Sequence, residues 1–140
     1  KSNKMTTRIV NIPIYRGKLR VDIIDHPKES KLWKERFTCN NGCRTNNRPR
    51  TSFKGFTFGY KSGMCIMLQR TCDNKTCEDP ECSGLTPGTI AHEAFHAAFR
   101  ILDRAGVKPD VNNQEPFAYL LSWVVDAVNK TVEQDKQRNS

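Results

Sequence analysis

Residues Ile90 to Leu102 read IAHEAFHAAFRIL, and this run constrains the fold more than any other. Ahead of it, Thr86-Pro87-Gly88-Thr89 offers a helix cap and a proline for the first turn. Behind it, Gly106 offers a C-terminal stop. The spacing predicts one helix from Thr86 to about Ala105. His92 and His96 are four residues apart, so they share a face, about one turn (~5.4 Å) apart along the axis. Both rings can address one ion, and Glu93 lands beside the same edge. Ile90, Ala94, Ala97, Ala98, Ile101 and Ala105 gather on the side away from the histidines. That side suits a core, and the histidine side suits a cleft walled by Phe95 and Phe99. The competing reading is a core helix that happens to carry two of the chain's three histidines.

A catalytic zinc takes three protein ligands. His26, the remaining histidine, sits far upstream at a strand end and is the weaker candidate. Glu115 follows His96 after eighteen intervening residues and opens the final helix. A return through Val107-Lys108-Pro109-Asp110 can bring it back to the histidines. Ala118, Tyr119 and Ser122 share its face, and two of these are small enough for close helix packing. The alternative is that Glu115 only complements a helix N-terminus as an acidic residue.

The rest of the chain reads as α+β, a single domain over residues 1–140. Thr7 to Tyr15 and Lys18 to Asp25 are rich in β-branched residues and flank Arg16-Gly17, which predicts a hairpin. Pro27 to Phe37 suits a short helix, with Leu32 and Trp33 as its apolar contact. Phe53 to Lys61 and Met64 to Arg70 form a second hairpin signal around Ser62-Gly63. The final helix starts near Asn112-Asn113 and runs to about Thr131. Phe117, Leu120, Leu121, Val124, Val125 and Val128 form its apolar stripe. Its polar tail, Glu133 to Ser140, is expected to fray. These elements predict a small antiparallel sheet packed on the two C-terminal helices.

Charge is unevenly spread. Residues 1–61 hold fifteen Lys/Arg against four Asp/Glu, and residues 62–140 hold eight against eleven, which together give the net +8. A basic half suits an acidic partner or nucleic acid, but no nucleic-acid motif accompanies it, and a solvated positive surface explains it equally. No apolar run approaches the ~20 residues of a membrane span. The first apolar cluster, Ile9 to Ile14, is too short for a signal peptide and is broken by Asn11 and Pro13. A cytoplasmic location is the expectation.

Six cysteines fall mostly in two loop-like stretches, at about 38–52 and 71–88. Cys39, Cys43, Cys72, Cys77 and Cys82 lie at the two ends of the second hairpin, whose ends a hairpin brings together. Four of the five can hold a structural zinc, although the spacings are wider than the usual C-x2-C. Disulfides and unlinked thiols remain the alternatives. Cys65, between Met64 and Ile66, reads as a buried apolar residue.

The stretch HEAFHAAFRIL…NQEPFAYLLSWVVDAV resembles a group of small phage and prophage proteins with a minimal HExxH peptidase core. Their pattern is the HExxH helix, a short acidic or Asn-rich loop, then Glu followed by A-Y-L-L-type residues. The likeness is most specific from Thr86 to Val128, and weaker in the N-terminal strands and Gly55 to Arg70. More distantly, it is similar to the ImmA/IrrE metallopeptidases and other gluzincins. The resemblance implies a zincin-like domain with a catalytic zinc held by His92, His96 and Glu115, and Glu93 as general base. The chain departs from the pattern at Pro116, directly after the implied ligand, and in its Cys-rich segments.

The chemistry implied is peptide hydrolysis by a metal-activated water, with Glu93 taking the proton and passing it to the leaving amine. By analogy with zincins, Met64 to Arg70 would be the edge strand that holds the substrate backbone. Tyr119 is a candidate oxyanion or supporting residue, and Asp103, Asp110 and Asn113 are candidate partners for the histidines. The partners expected are a protein or peptide substrate and, in the alternative reading, a host protein bound by a catalytically silent peptidase-like module.

Overall fold

The computed structural model describes residues 4–37, 54–71, 77–79 and 82–140. Two hairpins build its sheet. β1 (Thr6–Asn11) pairs antiparallel with β2 (Lys18–Ile24), and β3 (Gly55–Tyr60) pairs antiparallel with β4 (Gly63–Gln69). A 3-10 turn (Pro27–Glu29) and the short helix α1 (Lys31–Phe37) follow the first hairpin. Two long helices, α2 (Pro87–Arg104) and α3 (Glu115–Arg138), complete the chain. The class is α+β, as expected.

The strand order is β1-β2-β4-β3, and the central pair β2/β4 is parallel. The sheet is therefore mixed rather than wholly antiparallel. The hairpins are each antiparallel, but they join side by side in the same direction. Nothing in either hairpin's own sequence encodes that junction. It also moves the expected substrate strand: Met64 to Arg70 covers most of β4, which lies inside the sheet, and the edge beside it is β3.

The alternation of β2 explains the core. Leu19, Val21 and Ile23 face the helices together with Met64, Ile66 and Leu68 of β4. Ile90, Ala94, Ala97, Ala98, Ile101 and Leu102 of α2 meet them, with Leu120, Val124 and Val128 of α3. The alanines let α2 lie close to the sheet. Ala105, expected on this face, is exposed, and Leu102 takes part instead. On the opposite face, Trp33 of α1 is 2% exposed and packs edge-on against Phe56 at 5.5 Å and Phe58 at 6.5 Å. All seven residues of β4 are buried, which is why it reads as a continuous apolar run. Among the described residues no helix is long and apolar enough to cross a membrane.

The tail of α3 does not fray. The helix continues to Arg138 because Asp135, buried near its end, accepts from Thr6 at 2.6 Å and from Arg70 at 2.7 and 3.0 Å. Arg70 also reaches Asp25 at 2.9 Å. Burial alone would raise the Asp135 carboxyl. The hydrogen bonds from Arg70 and Thr6, with the Arg70 charge, outweigh it and hold the group below its ordinary value. This network joins α3 to β1 and to the residue that follows β4.

Candidate metal centre

Helix α2 begins as its sequence demands. Thr86 is extended, its hydroxyl accepts from the Thr89 N–H at 3.3 Å, and Pro87 fills the first turn. The helix ends at Arg104, with Gly106 at φ +77°. Between these ends the buried alanines fix the rotation of the helix, so His92 and His96 face outward. Their Nε2 atoms are 3.2 Å apart and the rings meet edge-on at 4.8 Å.

That separation tests the pair as ligands. Two nitrogens at 2.0–2.1 Å from a tetrahedral zinc lie about 3.3 Å apart. The pair fits, with little rearrangement of either ring.

Glu93 is 4% exposed although it neighbours an exposed histidine. One carboxylate oxygen, Oε1, accepts from the Thr57 hydroxyl at 2.8 Å. The other, Oε2, stands 3.8 Å from His92 Nε2. Thr57 belongs to β3, and the close approach of that strand depends on Gly55. A Cβ on Gly55 would sit 2.7 Å from Glu93 Cγ, 3.1 Å from Leu68 Cδ2 and 3.2 Å from Thr89 Cγ2. A cavity of about 300 Å³ opens here between Lys54, Gly55, Gly88, Thr89, His92 and Glu93.

Thr57 and Gly55 belong to no catalytic motif, yet the run GFTFGY carries a signal for them. Its aromatics, Phe56, Phe58 and Tyr60, alternate with Gly55, Thr57 and Gly59. A strand with one face of small residues can lie directly on a helix.

Glu115 is not brought to the histidines. It is the first residue of α3, it is exposed, and it lines a hollow with Pro13, Ile14, Tyr15 and Tyr119. The face it shares with Ala118, Tyr119 and Ser122 is the exposed face of the helix, because Leu120, Val124 and Val128 take the core. Phe117 is the residue that reaches toward α2, with its ring 5.3 Å from Phe95. Among the described residues no three His, Cys, Asp or Glu side chains form a metal-binding group. The three-ligand set implied by the resemblance is thus reduced to the imidazole pair.

The other candidates lie apart. Tyr119 is 73% exposed and stands in the Glu115 hollow, as does Asn113. His26 caps the 3-10 turn, its Nδ1 accepting from the Lys28 N–H at 3.1 Å. Asp110 serves its own loop by accepting from the Asn112 N–H at 2.9 Å. Asp103 is exposed on α2.

Cys39, Cys43 and Cys72, three of the five cysteines expected to hold a structural zinc, lie outside the described residues. Cys77 is exposed and Cys82 half-buried. Cys65 is buried as expected, with its sulfur 3.8 Å from Asp22 Oδ2. Burial, and then the Asp22 charge, push its thiol well up.

No protein-family model, curated protein or solved structure matches this chain.

Proposed function

We propose that this chain is a zinc-dependent peptidase of the HExxH type, acting on protein or peptide substrates in a cytoplasm. The observation that carries the reading is the His92/His96 nitrogen pair, 3.2 Å apart, with a buried carboxylate oxygen 3.8 Å from His92. His92 and His96 would hold the ion, which when bound supplies Lewis acidity toward water and carbonyl oxygen. Glu93 does the proton work. Thr57 occupies Oε1, so Oε2 is the oxygen left to take a proton from the attacking water and hand it to the leaving amine. β3 supplies the positioning edge: among the described residues it has a strand partner on one side only. An extended peptide can add to its outer side by main-chain hydrogen bonds.

Elemental analysis and a peptide-library digest test this together. The wild-type protein is expected to hold zinc and cleave. His92→Ala should lose the metal, and Glu93→Gln should keep it while hydrolysis falls about 100-fold or more. Equal zinc in wild type and His92→Ala, or unchanged cleavage by Glu93→Gln, removes the reading.

One observation favours a second reading. Glu115 faces solvent, and the described residues supply no third protein ligand. A peptidase-shaped binding module that occupies a host protein needs no such ligand. It would cleave nothing in the digest, and its partner binding would survive Glu93→Gln.

A further inference from the structure

Phe95 and Phe99 are 47% and 40% exposed, on a helix whose other apolar core residues are at most 4% exposed. They are not spent on the core. At about 100° per residue, Phe95 lies about 60° and Phe99 about 20° to one side of His92, while Glu93 lies about 100° to the other. The histidines therefore form a floor between two unlike walls. One wall is Glu93 with the polar edge of β3. The other is aromatic.

The aromatic wall is already organised. Phe95 stacks on Phe99 with centroids 5.9 Å apart and planes at 26°. Phe117 from α3 braces Phe95 edge-on at 5.3 Å, and the Phe95 ring reaches to 6.2 Å from His96. Rings that hold one another lose little freedom when a further ring joins them. Beyond Phe117 the wall continues into a cavity of about 390 Å³ whose lining includes Leu102, Val107 and Leu121. That volume is within the range of small-ligand pockets.

We propose that this wall is a specificity site for a large apolar side chain, aromatic above all, of a peptide lying across His92 and His96. The occupant is a peptide side chain because the wall is continuous with the histidine floor. A peptide whose main chain lies over His92 and His96 has side chains within reach of Phe95, whose ring centroid is 6.2 Å from that of His96. The inference rests on the peptidase reading for its setting, but it concerns recognition, which can be measured without turnover.

The test uses zinc-loaded full-length protein and decapeptides that differ at one scanned position, carrying Phe, Leu, Ala or Lys. Binding is measured by calorimetry on the wild type, Glu93→Gln, Phe99→Ser and Phe99→Leu, and cleavage by mass spectrometry. Phe peptides are expected to bind about tenfold tighter than Ala peptides. The preference should persist in Glu93→Gln and Phe99→Leu and vanish in Phe99→Ser. Preference without cleavage supports the specificity site and counts against hydrolysis alone. No preference for Phe over Ala, or a preference untouched by Phe99→Ser, overturns the proposal. So does sedimentation showing a wild-type dimer that Phe99→Ser dissociates, because the wall would then be covered by a second copy.

Discussion

The Thr57 hydroxyl lies 2.8 Å from Oε1 of Glu93 and donates to it, tying the edge strand to the carboxylate beside the histidines. A buried carboxylate oxygen without its donor is costly, and its rotamer is no longer fixed. Thr57→Val should leave the zinc content unchanged and lower kcat about tenfold, with KM little altered, and Thr57→Ser should restore it. Steady-state kinetics beside metal analysis decides this. Equal kcat in the valine and serine variants would show that the hydroxyl is only structural.

Gly55 makes that hydrogen bond geometrically accessible. In Gly55→Ala the new methyl would stand 2.7 Å from Glu93 Cγ, so strand or helix must move. We expect a loss of about 1–3 kcal/mol in thermal unfolding, together with loss of hydrolysis. Gly88 is the control. A Cβ there meets nothing within 4 Å, and Gly88→Ala should be neutral or slightly stabilising.

Glu115→Ala should retain the zinc of the wild type and its stability to within about 0.5 kcal/mol, because the side chain is exposed and turned from the histidines. Elemental analysis after dialysis reads this directly. Loss of one equivalent of zinc would restore Glu115 to the ligand set and require α3 to rotate.

Asp135 predicts an acid-sensitive fold. Its carboxyl is held below the ordinary carboxylate value, so the folded state favours the charged form more than the unfolded state does. The stability this contributes is present above the ordinary carboxylate range and disappears as pH falls through the depressed value. Asp135→Asn should cost about 3 kcal/mol at pH 7, since it leaves Arg70 buried with one carboxylate partner removed. The penalty should shrink at pH 2–3, and urea midpoints at both pH values check it.

Local signals were readable and long-range ones were not. Thr86, Pro87 and Gly106 bounded α2 correctly because caps act within a few residues. The alanine arc set its rotation, and the histidines followed. Glu115 failed because its orientation depends on the whole of α3. Leu120, Val124 and Val128 claim the core, which leaves Glu115 with the opposite arc. The polar tail looked unattached because its anchor, Arg70, is 65 positions away. Pairing of Thr57 with Glu93 across 36 positions was hidden for the same reason.

The parallel seam between β2 and β4 bears on the order of assembly. Each hairpin closes over a short turn, but Leu19 meets Met64 only after 45 intervening steps of chain have been looped out. Closing a loop that long costs entropy before any contact rewards it, so the seam is expected to limit the refolding rate. Glu93, its threonine and both imidazoles come from β3 and α2, on the C-terminal side of that seam. Thr57 and Glu93 are 36 positions apart and both follow the N-terminal hairpin in the chain, so their contact does not wait for that hairpin to dock on β4.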